Sequence, residues 1–292
     1  MTGTAMAEAP TPISLADLRR EIDRIDEAMH RLLMERGSII DTLIAVKKTQ
    51  ASGSAFRPGR EASMMRAMAA RHAGLLPFDT VESIWRVIIS TFTYVQAPYS
   101  VHADMSGGDA PMRDTARFHF GFTVPYVPHP NAAAVIDAVA RSAGDLGVFR
   151  AEPGRGAGAW WTALAGEGRP KIIARLPFVE RPSHPAGLPV YVVSKPIEDA
   201  AVRDVVLFAL GVERWREGLQ KALAGLGATV ESSAGDQGGL SLLISMPGSV
   251  TLETIYGAMS GLDVGVFDIH EIGSHASRFR LDQTAENPES KS

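Results

Sequence analysis

The chain of 292 residues is 45% hydrophobic and 21% charged, the balance of a soluble globular protein long enough for two or three domains. Its formal net charge of −4 gives no electrostatic reason to expect nucleic acid or an anionic membrane as a partner. Cysteine is absent, which excludes disulfides, thiolate nucleophiles and cysteine-ligated metals.

Residues 1–13, rich in Ala, Thr and Pro, read as a flexible tail. They have neither the basic n-region nor the apolar h-region of a secretory signal. No apolar run in the chain is long enough to span a bilayer, so the expected location is cytoplasmic. Residues 14–98 are all helical in pattern. Ser14 with Asp17 three residues on resembles a capping box, and an apolar period then continues to about Lys48. A helix of some 35 residues rises about 50 Å. The two shorter helices expected near Arg60–His72 and Pro77–Val95 cannot cover that length, and a helical homodimer is the economical reading.

Residues 99–116, with "SVHADMSGGDAPMRDTA", are linker-like. Across 117–200, short apolar strands such as "RFHFGFTV", "KIIARLPFV" and "PVYVVSK" alternate with helical patterns such as "NAAAVIDAVARSAG", which predicts an α/β lobe. Across 203–281 the order is strand "DVVLFAL", helix "ERWREGLQKALAGLG", strands "ATVESSA" and "LSLLISM", helix "TLETIYGAMSG", strand "DVGVFDIHEIG". That βαββαβ order is ferredoxin-like. Residues 282–292 form a second tail.

The long helix carries an anomaly. On a period of about 3.6 residues, Ile22, Ile25, Met29, Leu32, Ile40 and Leu43 fall within roughly 40° of one line, and Arg36 and Lys47 share that line, about 16 Å apart. A buried unpaired cation costs several kcal/mol, so each needs an anion: a carboxylate of a neighbouring helix, or a ligand. Arg19 lies about 26 Å before Arg36 and is rotated by roughly 100°. One straight helix cannot close both arginines on the same small molecule, whereas an antiparallel dimer can bring the partner's N-terminal end over the Arg36–Lys47 region.

"LRREIDRIDEAMHRLLMERGSIIDTLIAVKK", "RPGREASMMRAM" and "IWRVIISTFTYVQ" together resemble the all-helical chorismate mutase family, and the spacing Arg19–Arg36–Lys47–(Arg60, Glu61)–Gln96 follows the family pattern. The resemblance implies an intertwined homodimer that binds chorismate and rearranges it to prephenate without cofactor or metal, with Arg19 entering the other subunit's site. That reaction, an intramolecular Claisen rearrangement, needs a dicarboxylate held in a compact conformer and charge stabilised on the breaking ether oxygen. Arginine suits bidentate carboxylate binding, so the resemblance assigns Arg19 and Arg36 to the two carboxylates, with Arg60 in support. It assigns Lys47 and Gln96 to the ether oxygen and Glu61 to the ring hydroxyl, and makes Lys47, Gln96 and Arg36 the catalytic set. Two positions depart from the family. Arg57 stands where an aspartate is usual and Phe92 where a serine is usual, which predicts weaker substrate affinity.

Beyond residue 98, "DLGVFRAEPGRGAGAWWTAL" and "HEIGSHA" are similar to segments of prephenate dehydratase and its C-terminal ACT domain, to which some bacterial mutases are fused. The usual Thr-Arg-Phe is here Pro189-Val190-Tyr191, lacking the hydroxyl and the guanidinium, and only one of two lobes is accounted for, so no dehydratase activity is expected. The ACT motif Glu-Ser-Arg-Pro is represented by Glu231-Ser232-Ser233-Ala234, leaving an amino-acid effector open. Gly154 to Gly158 could bind an anion through backbone N–H groups or be an ordinary turn. Trp160 and Trp161 read as core, and His270 and His275 lack metal-ligand spacing. The leading expectation is a dimeric chorismate mutase of phenylalanine and tyrosine biosynthesis with a non-catalytic or regulatory C-terminal region. The alternatives are a bifunctional mutase–dehydratase, a lyase acting on isochorismate, and a non-enzymatic amino-acid-sensing dimer.

Overall fold

A computed structural model describes residues 14–47, 55–151, 158–181, 183–196, 202–236, 238–262 and 265–281. Both expected tails and most of the Gly154–Gly158 turn lie outside these residues. The chain divides into two compact units, residues 1–51 and 52–292.

The first unit is helix α1, Leu15–Lys47, of 33 residues. Its start is fixed by a reciprocal cap: the Asp17 N–H donates to Ser14 Oγ at 3.1 Å, and the Ser14 N–H donates to Asp17 Oδ2 at 3.1 Å, satisfying two donors that a helix N-terminus leaves open. The apolar seam read from the sequence is exposed along its N-terminal two-thirds, while Ile40 is buried and Leu43 half-buried. Ile22, Ile25, Met29 and Leu32 keep 56, 43, 51 and 60% of their surface.

The second unit begins with α2 (Pro58–Arg71) and α3 (Phe78–Gln96), close to the expected helices. Proline near the start of α2 costs nothing, because an N-terminal N–H has no helical partner. There follow β1 (Val101–Asp104), α4 (Asp109–Phe120), β2 (Tyr126–His129), α5 (Ala132–Arg141), β3 (Leu146–Arg150), a 3-10 turn Trp160–Leu164, β4 (Lys171–Leu176), β5 (Val179–Glu180) and β6 (Val190–Ser194). The remainder is β7 (Val205–Val212), α6 (Glu217–Gly225), β8 (Thr229–Asp236), β9 (Gly239–Pro247), α7 (Leu252–Met259), β10 (Val266–His275) and β11 (Phe279–Arg280). Nine strands form one mixed sheet in the order β2-β1-β3-β6-β4-β10-β7-β9-β8. Strand β1 runs parallel to both neighbours, while β10, β7, β9 and β8 are antiparallel in succession.

Alternation along the strands separates the layers, because successive side chains leave a strand on opposite faces. Val190 and Val192 of β6 join a core with Met65 and Met68 of α2, Phe78 and Ile89 of α3, and Met112 of α4. Tyr191 and Val193 join a second core with Val135 and Val139 of α5 and with Trp160 and Trp161. In β7 the same alternation sends Val206, Phe208 and Leu210 to α6 and α7, and Leu207 and Ala209 to the second core.

The structure departs from the sequence pattern in two places. Residues 99–116 were read as a linker, yet they supply β1, with a neighbour on each side in the sheet, and most of α4. "RFHF" was read as strand, yet it closes α4. The stripe Met112, Thr115, Ala116, His119 and Phe120 is buried, and that helical spacing outweighs the β preference of the aromatics.

Candidate active site

Residues expected to bind substrate fall on both units. On α1, Arg19 is exposed and Arg36 half-buried; Lys47 is the last helical residue, and its side chain is outside the described set. Seventeen residues of helix separate the two arginines, about 26 Å, as the sequence requires.

On the second unit, Arg60 is exposed and Glu61 buried, both in the first turn of α2. Gln96 ends α3, half-buried, and its Nε2 donates to Phe92 O of the same helix at 3.0 Å. Arg57 is the N-cap residue of α2. Glu61 was assigned to a substrate hydroxyl, but the structure gives it a protein partner as well. Arg86 Nη1 donates to Glu61 Oε2 at 2.8 Å, and the two side chains are 1% and 8% exposed.

Arg86 was not singled out in the sequence, although the signal was present. The buried stripe of α3 runs Phe78, Glu82, Arg86, Ile89, Ser90, Thr93, so two charges four residues apart lie among core positions, the same anomaly that marks Arg36 and Lys47. Each charge on α3 is answered. The Arg86 guanidinium lies 5.4 Å from the Phe178 ring centroid. Glu82 meets Arg181 at 2.6 Å, and Arg181 also meets Asp79 at 2.5 Å. Burial holds the His119 imidazole well below its ordinary pKa, helped by the nearby Arg86, His184 and Arg181, so His119 is neutral at pH 7. Burial raises the Tyr99 hydroxyl, with the Glu61 carboxylate adding to the effect. Burial also raises the Glu61 carboxyl, against the opposing pull of Arg86.

An open groove beside this cluster is lined by Asp79, Asp114, Arg117, Phe118 and His184 among others. Arg117 is occupied there, donating to Gly121 O and Val124 O. Farther along the sheet, Glu231 on β8 accepts from Arg175 Nη1 at 3.2 Å and from Ser245 Oγ at 2.7 Å. Trp160 and Trp161 are core, and Trp161 Nε1 donates to Ser241 Oγ at 2.9 Å. His270 pairs with Asp268 at 2.6 Å. Among the described residues no group of three His, Asp or Glu side chains is placed to hold a metal ion, and no helix is long and apolar enough to cross a membrane.

The architecture is a helical N-terminal segment followed by a mixed α/β sheet. Residues 18–97 match the family model of chorismate mutase type II. The chain is similar to the bifunctional chorismate mutase/prephenate dehydratase of Aquifex aeolicus, 30% identical over 142 residues, which is 47% of this chain and 39% of that one. It is also similar to the protein of the same description from Neisseria gonorrhoeae, 29% identical over 119 residues, 41% of this chain and 31% of that one. The matched regions thus span less than half of either relative. Among solved structures, prephenate dehydratase from Streptococcus mutans superposes with a TM-score of 0.40 at 12% identity, over 62% of this chain and 99% of that one. The Arthrobacter aurescens enzyme in complex with L-Phe gives 0.41 at 13%, over 66% and 93%.

Proposed function

We propose that the protein is a chorismate mutase acting in aromatic amino acid biosynthesis, a homodimer in which Arg19 of each chain serves the partner's site. One observation carries this reading: Arg19, Arg36, Lys47, Arg60, Glu61 and Gln96 all fall within residues 18–97, the segment that matches the mutase family. The chemistry fits those side chains. Three arginines offer bidentate donors to a dicarboxylate, and a lysine with an amide offers a cation and a donor to the ether oxygen. No group needs to exchange a proton with the substrate. Rate enhancement comes from holding the reactive conformer and from donors aimed where charge develops.

The exposed apolar seam of α1 favours the dimer, since long apolar stripes on soluble helices are covered by a partner. The C-terminal βαββαβ unit is read as an ACT-like domain able to take an amino-acid effector, and the rest of the sheet as a dehydratase-like region without dehydratase activity. Pro189 and Val190 support that last point, having neither hydroxyl nor guanidinium to offer a substrate.

The test is to follow chorismate loss by its ultraviolet absorbance and identify the product. Prephenate alone is expected. Phenylpyruvate would establish the bifunctional reading and pyruvate a lyase. A folded dimer with no turnover would leave the sensing reading in place of the enzyme.

A further inference from the structure

Glu61 is buried, yet only one of its two oxygens is used. Oε2 accepts from Arg86 Nη1 at 2.8 Å, and Oε1 takes no hydrogen bond among the described residues. Glu82, one turn before Arg86 on α3, is different: it is wholly buried, its charge is met by Arg181, and neither oxygen reaches solvent.

We propose that Arg86 is a positioning residue, fixing Glu61 by one carboxylate oxygen so that the other stays directed to a hydroxyl of the bound substrate. The proposal rests on the mutase reading above and deepens it. Stability alone does not account for the arrangement. Arg86 is 1% exposed, and its Nε and Nη2 have no hydrogen-bond partner among the described residues. A buried ion pair joined by one hydrogen bond is commonly no better than two well-packed apolar side chains. What the pair supplies that apolar residues cannot is an ionised acceptor at a fixed place.

Ionisation is the second half of the argument. A carboxylate can accept a hydroxyl proton in a hydrogen bond through either oxygen, whereas a protonated carboxyl presents a donor that competes. Burial pushes Glu61 toward the protonated form, and Arg86 is the group that opposes it. The other titratable groups facing the pair are Tyr99, which follows α3, and His119 of α4. Both are neutral at pH 7, so neither replaces the guanidinium.

The experiment is kcat/KM for chorismate as a function of pH in wild type, Arg86→Met, Arg86→Lys and Glu61→Gln, each checked for fold by circular dichroism. In Arg86→Met, kcat/KM at neutral pH is expected to fall at least tenfold and the acid limb to move to higher pH, because the carboxyl loses its cation. Arg86→Lys is expected to recover most of the activity with the limb near its original position. Glu61→Gln is expected to lose the limb, and adding Arg86→Met to it should cost little more. A folded Arg86→Met enzyme with an unmoved limb overturns the role of Arg86, as do losses that multiply in the double variant. If Arg86→Met does not fold, Arg86→Gln makes the same comparison with the same expected and overturning results. A wild type that is folded and inactive overturns instead the mutase reading on which the proposal rests.

Discussion

Helices α1 and α2 both carry apolar stripes, and they dispose of them in opposite ways. On α2, Ala62, Met65 and Met68 are at most 3% exposed and share a core with the sheet. On α1, Leu15, Leu18, Ile22, Met29 and Leu32 keep 49% or more of their surface exposed. Helix α3 is intermediate. It buries Glu82 and Arg86 on the face toward the sheet and leaves Ile84, Val87 and Val95 exposed at 40, 53 and 51%. The contrast separates two sources of order within one helical region. The second unit gives α2 a core, whereas the N-terminal part of the α1 stripe is exposed, the face that the proposed dimer would cover with a second copy of the chain.

Charge placed in the α1 seam has the largest expected effect. Ile25→Asp with Leu32→Asp is expected to turn a dimer into a monomer in sedimentation, and to lower chorismate turnover by roughly a hundredfold or more, since a buried unpaired carboxylate costs several kcal/mol. The near-ultraviolet signal of Trp160 and Trp161, packed in the second unit, should survive. A doubly charged variant that stays dimeric and active would show that this face of α1 is not the interface.

Next in size is a change that leaves the interface alone. Lys47→Ala removes the cation assigned to the ether oxygen, and loss of one such donor lowers kcat by about 10²–10³. The dimer and the unfolding midpoint should be unchanged. Wild-type kcat in this variant would dissociate Lys47 from the chemistry and leave its place on the seam without explanation.

The third change weighs the other side of the comparison, the cooperativity of the second unit. Strands β10 and β4 meet in register at one residue pair, Gly273↔Ile172. Gly273 has φ +143°, and a Cβ there would lie 2.1 Å from Ile172 O. Gly273→Ala is therefore strained in its backbone and clashes with a carbonyl that cannot swing away. A loss of about 2–4 kcal/mol is expected in urea unfolding. Ala276, just beyond β10, belongs to the core that α2 and α3 share with the sheet, so helical and sheet signals of this unit should be lost together. Separate transitions would mean that α2 and α3 do not depend on the sheet.

Much of this was legible in the sequence because the signals were periodic and local. The three helices follow from spacing, and the strand and helix order of β7 to β10 follows from alternation and breakers. Strand β1 was hidden for a physical reason. It has four residues, and His102 and Asp104 break its apolar run. His102 is placed by contacts no short window reveals: its Nδ1 lies 2.8 Å from His129 Nε2 and its Nε2 lies 3.1 Å from Asp145. Helix α4 was hidden by a glycine-rich approach and an early proline, although its buried positions repeat at three and four residues. The spacing of Arg36 and Lys47 along α1 is visible in the sequence, whereas the role assigned to them is a proposal. The partnership of Glu61 and Arg86 was not legible, because the residues are 25 apart and no local rule relates them.

The last expected effect is a pH dependence and concerns His275, the final residue of β10 before Ala276. The residue is 3% exposed, and its Nδ1 lies 2.8 Å from Ala276 O, which fixes the proton on Nδ1 as donor to that carbonyl. Burial lowers its pKa from 6.5 to about 4; Arg175 and Arg278 add to the drop, while the Ala276 carbonyl and Glu231 oppose it. The folded state therefore holds the imidazole neutral, and the unfolded chain binds a proton first as pH falls. The contribution of this group to stability is complete above pH 6.5 and is lost between there and about pH 4, at a slope of at most about 1.4 kcal/mol per pH unit. Carboxylates add their own slope at the acid end, so the readout is the difference between wild type and His275→Gln in urea unfolding across that window. The variant should start less stable and show a shallower dependence on pH. Parallel curves would mean that His275 is protonated alike in the folded and unfolded chains and is open enough to water to carry charge.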